Sequence, residues 1–279
     1  MSWLLPLVIV LLGAVIPGRW YLRGLRRRRL MAKPFPSAWK KILMRNVPLY
    51  THLPASLRHQ LHGHIQVLLS EKKFEGCGGL KMTAEIKVTI AAHASILLLN
   101  RRPRYYPGLD SILVYPGAFL SEDIHYLGNQ AYLEGRAAHL GESWQRGALV
   151  LAWDNVKRGT MDVRDGQNVV LHEFAHQLDQ EDGAADGAPV LGRRSLYTTW
   201  ASTLRKEYQR LQRKVKRGLE TLMDEYGATD PAEFFAVATE TFFEKPREMK
   251  IRHKELYEVL KSYYKLDPLE WVQDNGTKR

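Results

Sequence analysis

The chain has 279 residues, 45% hydrophobic and 25% charged, with a formal net charge of +11. That is an ordinary globular composition with enough length for one large core, and the single Cys77 excludes an intrachain disulfide. The charge does not point to nucleic acid: residues 1–33 hold Arg19, Arg23, Arg26, Arg27, Arg28, Arg29 and Lys33 with no acidic residue, and the remainder is only mildly basic.

Trp3 to Leu22 is long and apolar enough to cross a bilayer, with Arg19 able to reach the surface along its aliphatic stem. Arg23 to Lys33 follows as a dense basic cluster. Positive charge marks the cytoplasmic flank of a span. A cleaved signal peptide carries its basic residues before the apolar stretch, the reverse of this order. The sequence therefore predicts a transmembrane anchor over 1–22. A basic juxtamembrane linker over 23–36 follows, where Arg23–Lys33 attracts anionic membrane lipids, and then a globular domain over 37–275 on the cytoplasmic side.

Leu57, Leu61, Ile65, Leu68 and Leu69 recur at helical spacing and predict a helix over Pro54 to Glu71; His59, His62 and His64 lie in it as solvated or core-edge groups. Glu75 to Gly79 reads as a turn and lacks the Lys-Ser/Thr ending of a phosphate loop. Thr83 caps a predicted helix reaching about Leu99. Ile112 to Tyr115 reads as a strand, and Arg136 to Trp144 with Gly147 to Trp153 as a pair of strands. Leu149 to Trp153, the more apolar, is expected to be central or packed on both faces.

A helix over about Gln167 to Glu181 carries His172-Glu173-x-x-His176 and stops before Gly183. Two imidazoles four residues apart on a helix point the same way, one turn above the other. That is the arrangement for two nitrogen ligands on one zinc ion, with Glu173 beside the first as the base that deprotonates a water. A basic helix follows over Ser195 to Arg217. Asp230, Pro231 and Glu233 then suit the N-cap, first turn and reciprocal cap of a helix reaching about Glu244. Arg247 to Tyr264 is amphipathic and helical. Few strands among many helices, without regular alternation, argue for an α+β domain, mostly helical with a small sheet.

A catalytic zinc takes three protein ligands, so a third is needed. Asp179, Glu233, Glu240 and Glu244 are the candidates. Glu233 and Glu240 lie seven apart on one helix face, and spacing alone does not choose between them. Asp179 could bind metal or hold a ligand imidazole from behind.

Asn168 to Asp179, followed by Tyr226 and by Asp230 to Phe243, resembles the bacterial family of Mlc titration factor A (MtfA), as does the upstream stretch from Gly141 to Asp154. The resemblance covers about residues 40–270. It implies a zincin-like zinc metallopeptidase domain whose catalytic core is similar to the protease domain of anthrax lethal factor. It also implies one Zn2+ held by His172, His176 and Glu233, with Glu173 as base and Tyr226 as donor to the oxyanion, acting on a peptide or protein substrate. With the N-terminal segment, it implies a single-pass protein of the bacterial inner membrane. An alternative function follows from the same resemblance: a binding protein that sequesters a transcription regulator.

Overall fold

The computed structural model describes residues 4–117, 124–127, 130–133, 147–161 and 165–271. Helices α1 (Leu4–Met31), α2 (Ser37–Asn46), α3 (Pro48–His52) and α4 (Ala55–Glu71) come first. Strand β1 (Lys73–Gly76), helix α5 (Ala84–Ile96) and strand β2 (Ser111–Tyr115) follow, then the hairpin strands β3 (Ile124–Leu127) and β4 (Gln130–Leu133), and β5 (Ala148–Ala152). The remainder is helical: α6 (Trp153–Met161), α7 (Val169–Asp179), α8 (Leu196–Lys216), α9 (Pro231–Glu244), α10 (Pro246–Arg252) and α11 (Lys254–Tyr264).

The described domain is thus mostly helical around a small parallel sheet of order β1-β2-β5. Ile112 sits opposite both Phe74 and Leu149 in the register. Strand β1 falls partly where the sequence reads as a turn, and β2 takes the centre. Strand β5 stands at the edge of the described sheet, but Leu149 to Ala152 are all buried. Burial on both faces explains the unbroken apolar run. Its last predicted residue, Trp153, already begins α6. The strand expected over Arg136 to Trp144 lies outside the described residues.

Local signals set several boundaries. The Thr83 hydroxyl accepts from the Ile86 N–H and caps α5, whose residues from Val88 to Ile96 are all buried. Such a helix, buried on every side, belongs to the interior of a domain. Helix α9 is the second of this kind: Glu233 to Glu244 are all buried. Its Phe242 and Phe243 pack against Tyr257 and Tyr264 of α11. The predicted helix over 247–264 is two helices, broken at His253. That residue has φ −139°, and its imidazole is buried against Glu207 of α8 at 2.7 Å. His62 stacks on Phe35 with ring centroids 4.0 Å apart, and the buried His64 pairs with the Tyr105 hydroxyl at 2.7 Å.

Among the described residues no helix is long and apolar enough to cross a membrane. This overturns the expected single-pass anchor in the inner membrane. Helix α1 continues without a break past residue 22 into the arginine cluster, and one face of that half packs against protein. Arg27 makes a bidentate pair with Glu71 of α4, both bonds 2.8 Å. Its guanidinium also lies over the Tyr105 ring at 4.4 Å. Arg26 donates to the Ser70 hydroxyl at 3.0 Å. At Gly63 of α4 an added Cβ would meet the Met31 side chain at 3.1 Å, so the missing side chain lets the two helices approach. Expected lipid contacts of Arg23–Lys33 have no support here, because the structure uses Arg26 and Arg27 to dock α1.

Candidate metal centre

Helix α7 owes its start to Asn168, whose side chain accepts from the Leu171 N–H at 3.1 Å. This satisfies one of the free donors of the first turn. A short 3-10 turn, Gln180–Asp182, extends it, and Gly183 at φ 96° ends it. Val170, Leu171, Phe174, Ala175 and Leu178 are buried in the core. The opposite stripe carries His172 and His176 toward α9.

Helix α9 begins at Asp230, whose carboxylate accepts from Ala232 N and Glu233 N. Sequence pattern alone gives Glu233 a reciprocal capping role, but its carboxylate turns to the imidazoles. Glu233 Oε2 stands 3.0 Å from His172 Nε2 and 3.4 Å from His176 Nε2, and the two nitrogens are 3.2 Å apart. These three residues form the one group among the described residues whose donor atoms converge as metal ligands do. Ligand atoms about 2.0–2.1 Å from a tetrahedral zinc are separated by about 3.3–3.4 Å. The triangle matches that size, and its two imidazoles and one carboxylate are a donor set that zinc accepts.

The remaining candidates are placed elsewhere. Glu240 lies behind His172, with Oε1 2.7 Å from Nδ1, while its Oε2 accepts from the backbone N–H of Asn168. One buried carboxylate therefore grips both the helix cap and the first imidazole. Asn168 Nδ2 donates to Glu244 at 3.0 Å. Asp179 accepts from Gly187 N at 2.8 Å and secures the loop after α7. Sequence reasoning holds Glu240 and Asp179 as alternatives to Glu233 for the third ligand and assigns Asn168 no role. An Asn just before an apolar run was nonetheless a legible cap signal.

Glu173 is half-buried beside the triangle. Burial pushes its carboxyl up, Glu233 adds to this, and the imidazoles of His172 and His176 oppose it. Burial also raises Glu233, but hydrogen bonds from His172 and His176 outweigh it and hold the carboxyl near 2. For His172 burial disfavours the proton, yet the Glu240 and Glu233 carboxylates hold the imidazole well above its ordinary range. Tyr226 sits in the 3-10 turn Glu225–Ala228, its ring centroid 6.3 Å from that of His172. Burial and the nearby carboxylates of Glu233, Asp230 and Glu173 push its phenol up to about 12. It therefore stays protonated and able to donate.

A family model described as glucose-regulated metallo-peptidase M90 matches residues 22–265. An uncharacterized protein of Synechocystis sp. is 44% identical over 272 residues, covering 95% of this chain and 99% of that one. Mlc titration factor A of Klebsiella pneumoniae is 30% identical over 251 residues, covering 85% of this chain and 89% of that protein. Mlc titration factor A of Serratia proteamaculans is 32% identical over 230 residues, covering 81% and 87%.

Proposed function

This chain belongs to the glucose-regulated metallo-peptidase M90 family, and from that membership we propose that it hydrolyses peptide bonds at a zinc held by His172, His176 and Glu233. The observation that carries the reading is the triangle of donor atoms, 3.0, 3.2 and 3.4 Å on its sides, with Glu173 beside it. Bound there, zinc supplies a Lewis acid that activates water and polarises a carbonyl.

The chain's own groups do the rest. Glu173 accepts the proton of the attacking water and passes it to the leaving amine; its raised proton affinity suits both halves of that exchange. The Tyr226 phenol donates to the oxygen on which negative charge develops, a stabilisation that exists only in the transition state. Glu240 accepts the Nδ1 proton of His172, leaving the Nε2 lone pair for the ligand triangle. Strand β5, at the edge of the described sheet, is suited to pair with an extended peptide. In our reading the catalytic unit covers about residues 37–275.

A paired measurement on the purified full chain tests this. Glu173→Gln keeps bound zinc and loses at least about 100-fold in peptide hydrolysis, whereas Glu233→Gln loses the zinc as well. Unimpaired hydrolysis in Glu173→Gln sinks the assignment. A second reading rests on the relatives' name: as proteins called Mlc titration factor A, they support a role in binding a regulator. Regulator binding that persists unchanged in Glu173→Gln, beside absent hydrolysis in the parent, would favour that role.

A further inference from the structure

A cleft of about 880 Å³ opens on the side of α7 turned away from the metal centre. Leu178 lines it. Two residues past His176, that side chain points about 200° around the helix from the ligand imidazole. The opposite wall is the segment after α5, which carries Arg101, Arg102 and Arg104; Arg193 and Lys265 complete the cationic lining. Only Glu181 and Glu258 oppose these five charges.

Two buried polar groups in this lining have only each other as partners among the described residues. Arg101 Nη1 and the Tyr263 hydroxyl are both shielded from water and, beyond their contact with each other, have no hydrogen-bond partner among the described residues. Tyr263 is 8% exposed, and the Arg101 guanidinium carbon lies over its ring, 4.3 Å from the centroid. Buried donors are satisfied in folded proteins by protein, water or ligand. A guanidinium packed on a phenol ring in a cationic cleft is arranged to meet a planar or tetrahedral anion.

The arginine segment is also held fast. Asn100 N donates to Gln60 Oε1 at 2.8 Å, and Asn100 Nδ2 to Lys265 O at 3.0 Å. Tyr105 and Tyr106 hold left-handed backbone at φ 60° and 54°. The Tyr106 hydroxyl donates to Ala94 O, and Lys72 Nζ to Tyr106 O and Leu109 O. Left-handed backbone at a bulky residue is costly and persists where the surroundings fix it. The cations are therefore presented on a rigid support.

We propose that this cleft binds a small organic phosphate monoester, with Arg101 and the Tyr263 hydroxyl on the phosphate. Excess positive charge favours a dianion over a single carboxylate. The volume exceeds that of phosphate alone, and Leu178, Leu191 and Val259 supply apolar wall for an organic group. The site touches both elements of the metal centre without sharing its ligands. Glu181 follows directly on α7, and Tyr263 packs on Phe235 of α9 with centroids 5.9 Å apart.

Calorimetric titration of the full chain decides the matter. Phenyl phosphate is expected to bind, inorganic phosphate to bind more weakly, and phenol to give no heat. Arg101→Gln should weaken phenyl phosphate about tenfold or more, as loss of a charge-assisted bidentate contact does. Arg193→Gln, on an exposed loop position, should weaken it about threefold and decides the case if Arg101→Gln does not fold. Arg205→Gln, on α8 outside the cleft, should leave it unchanged. No binding of phenyl phosphate at millimolar concentration overturns the proposal. So does parent-like affinity in both cleft variants, or tighter binding of a phosphoserine peptide than of phenyl phosphate.

Discussion

Two carboxylates on one helix face take different work because they meet different nitrogens of the same imidazole. Glu233 reaches His172 Nε2 and Glu240 reaches Nδ1. If Glu240 fixes the tautomer, then Glu240→Gln weakens zinc about 10–100-fold, the usual cost of losing such a support. Competition against a chromogenic chelator reads this directly, and unchanged affinity would refute the role. Tyr226 is tested by a split in kinetic constants. On the proposed role, in which the Tyr226 bond forms only in the transition state, Tyr226→Phe should lower kcat by about 100-fold and leave KM within about threefold. A fall carried by KM alone would make Tyr226 a substrate contact.

At the level of elements, the loop between α7 and α8 ties both halves of the centre. Gly187 donates to Asp179 at the end of α7 and accepts from Trp200 Nε1 at 2.9 Å. Its φ is 77°, and an added Cβ would lie 2.4 Å from Pro231 O, in the first turn of α9. Gly187→Ala therefore combines a left-handed backbone with a clash against main chain. A loss of at least about 1–2 kcal/mol is expected in urea unfolding, together with weaker zinc binding as α7 and α9 shift. An alanine variant with the parent's midpoint would show that this tie is dispensable.

For the whole molecule, buried neutral histidines set a pH limit. Burial holds both His64 and His93 near 4, against an ordinary 6.5. Between these values the unfolded chain takes up protons that the native state refuses, so stability is complete above about 6.5 and falls as pH drops toward 4. Each imidazole costs roughly 2 kcal/mol by pH 5. His64→Phe should accordingly flatten the decline of the urea midpoint between pH 7 and pH 5, and a slope identical to the parent's would refute the assignment. Docking of α1 belongs to this scale as well. Arg27, Glu71 and Tyr105 come from distant parts of the chain, and their contact changes what the arginines are for.

Local periodicity by itself determined much. One turn of helix separates His172 from His176, so their shared direction follows from the backbone pitch, and the Thr83 and Asp230 caps act within three residues. Apolar spacing likewise gave α4 and α5, and the cap signals at Asp230, Pro231 and Glu233 gave α9. Glu233 and Glu240 stand nearly two whole turns apart on one face, so no rotation of α9 distinguishes them; only its axial position against α7 does. That position is a tertiary fact, as are the burial of β5 at the edge of the described sheet and the pairing of Arg27 with Glu71. Arg101 and Tyr263 meet only after the chain has folded, because stacking across such a separation leaves no period in the sequence.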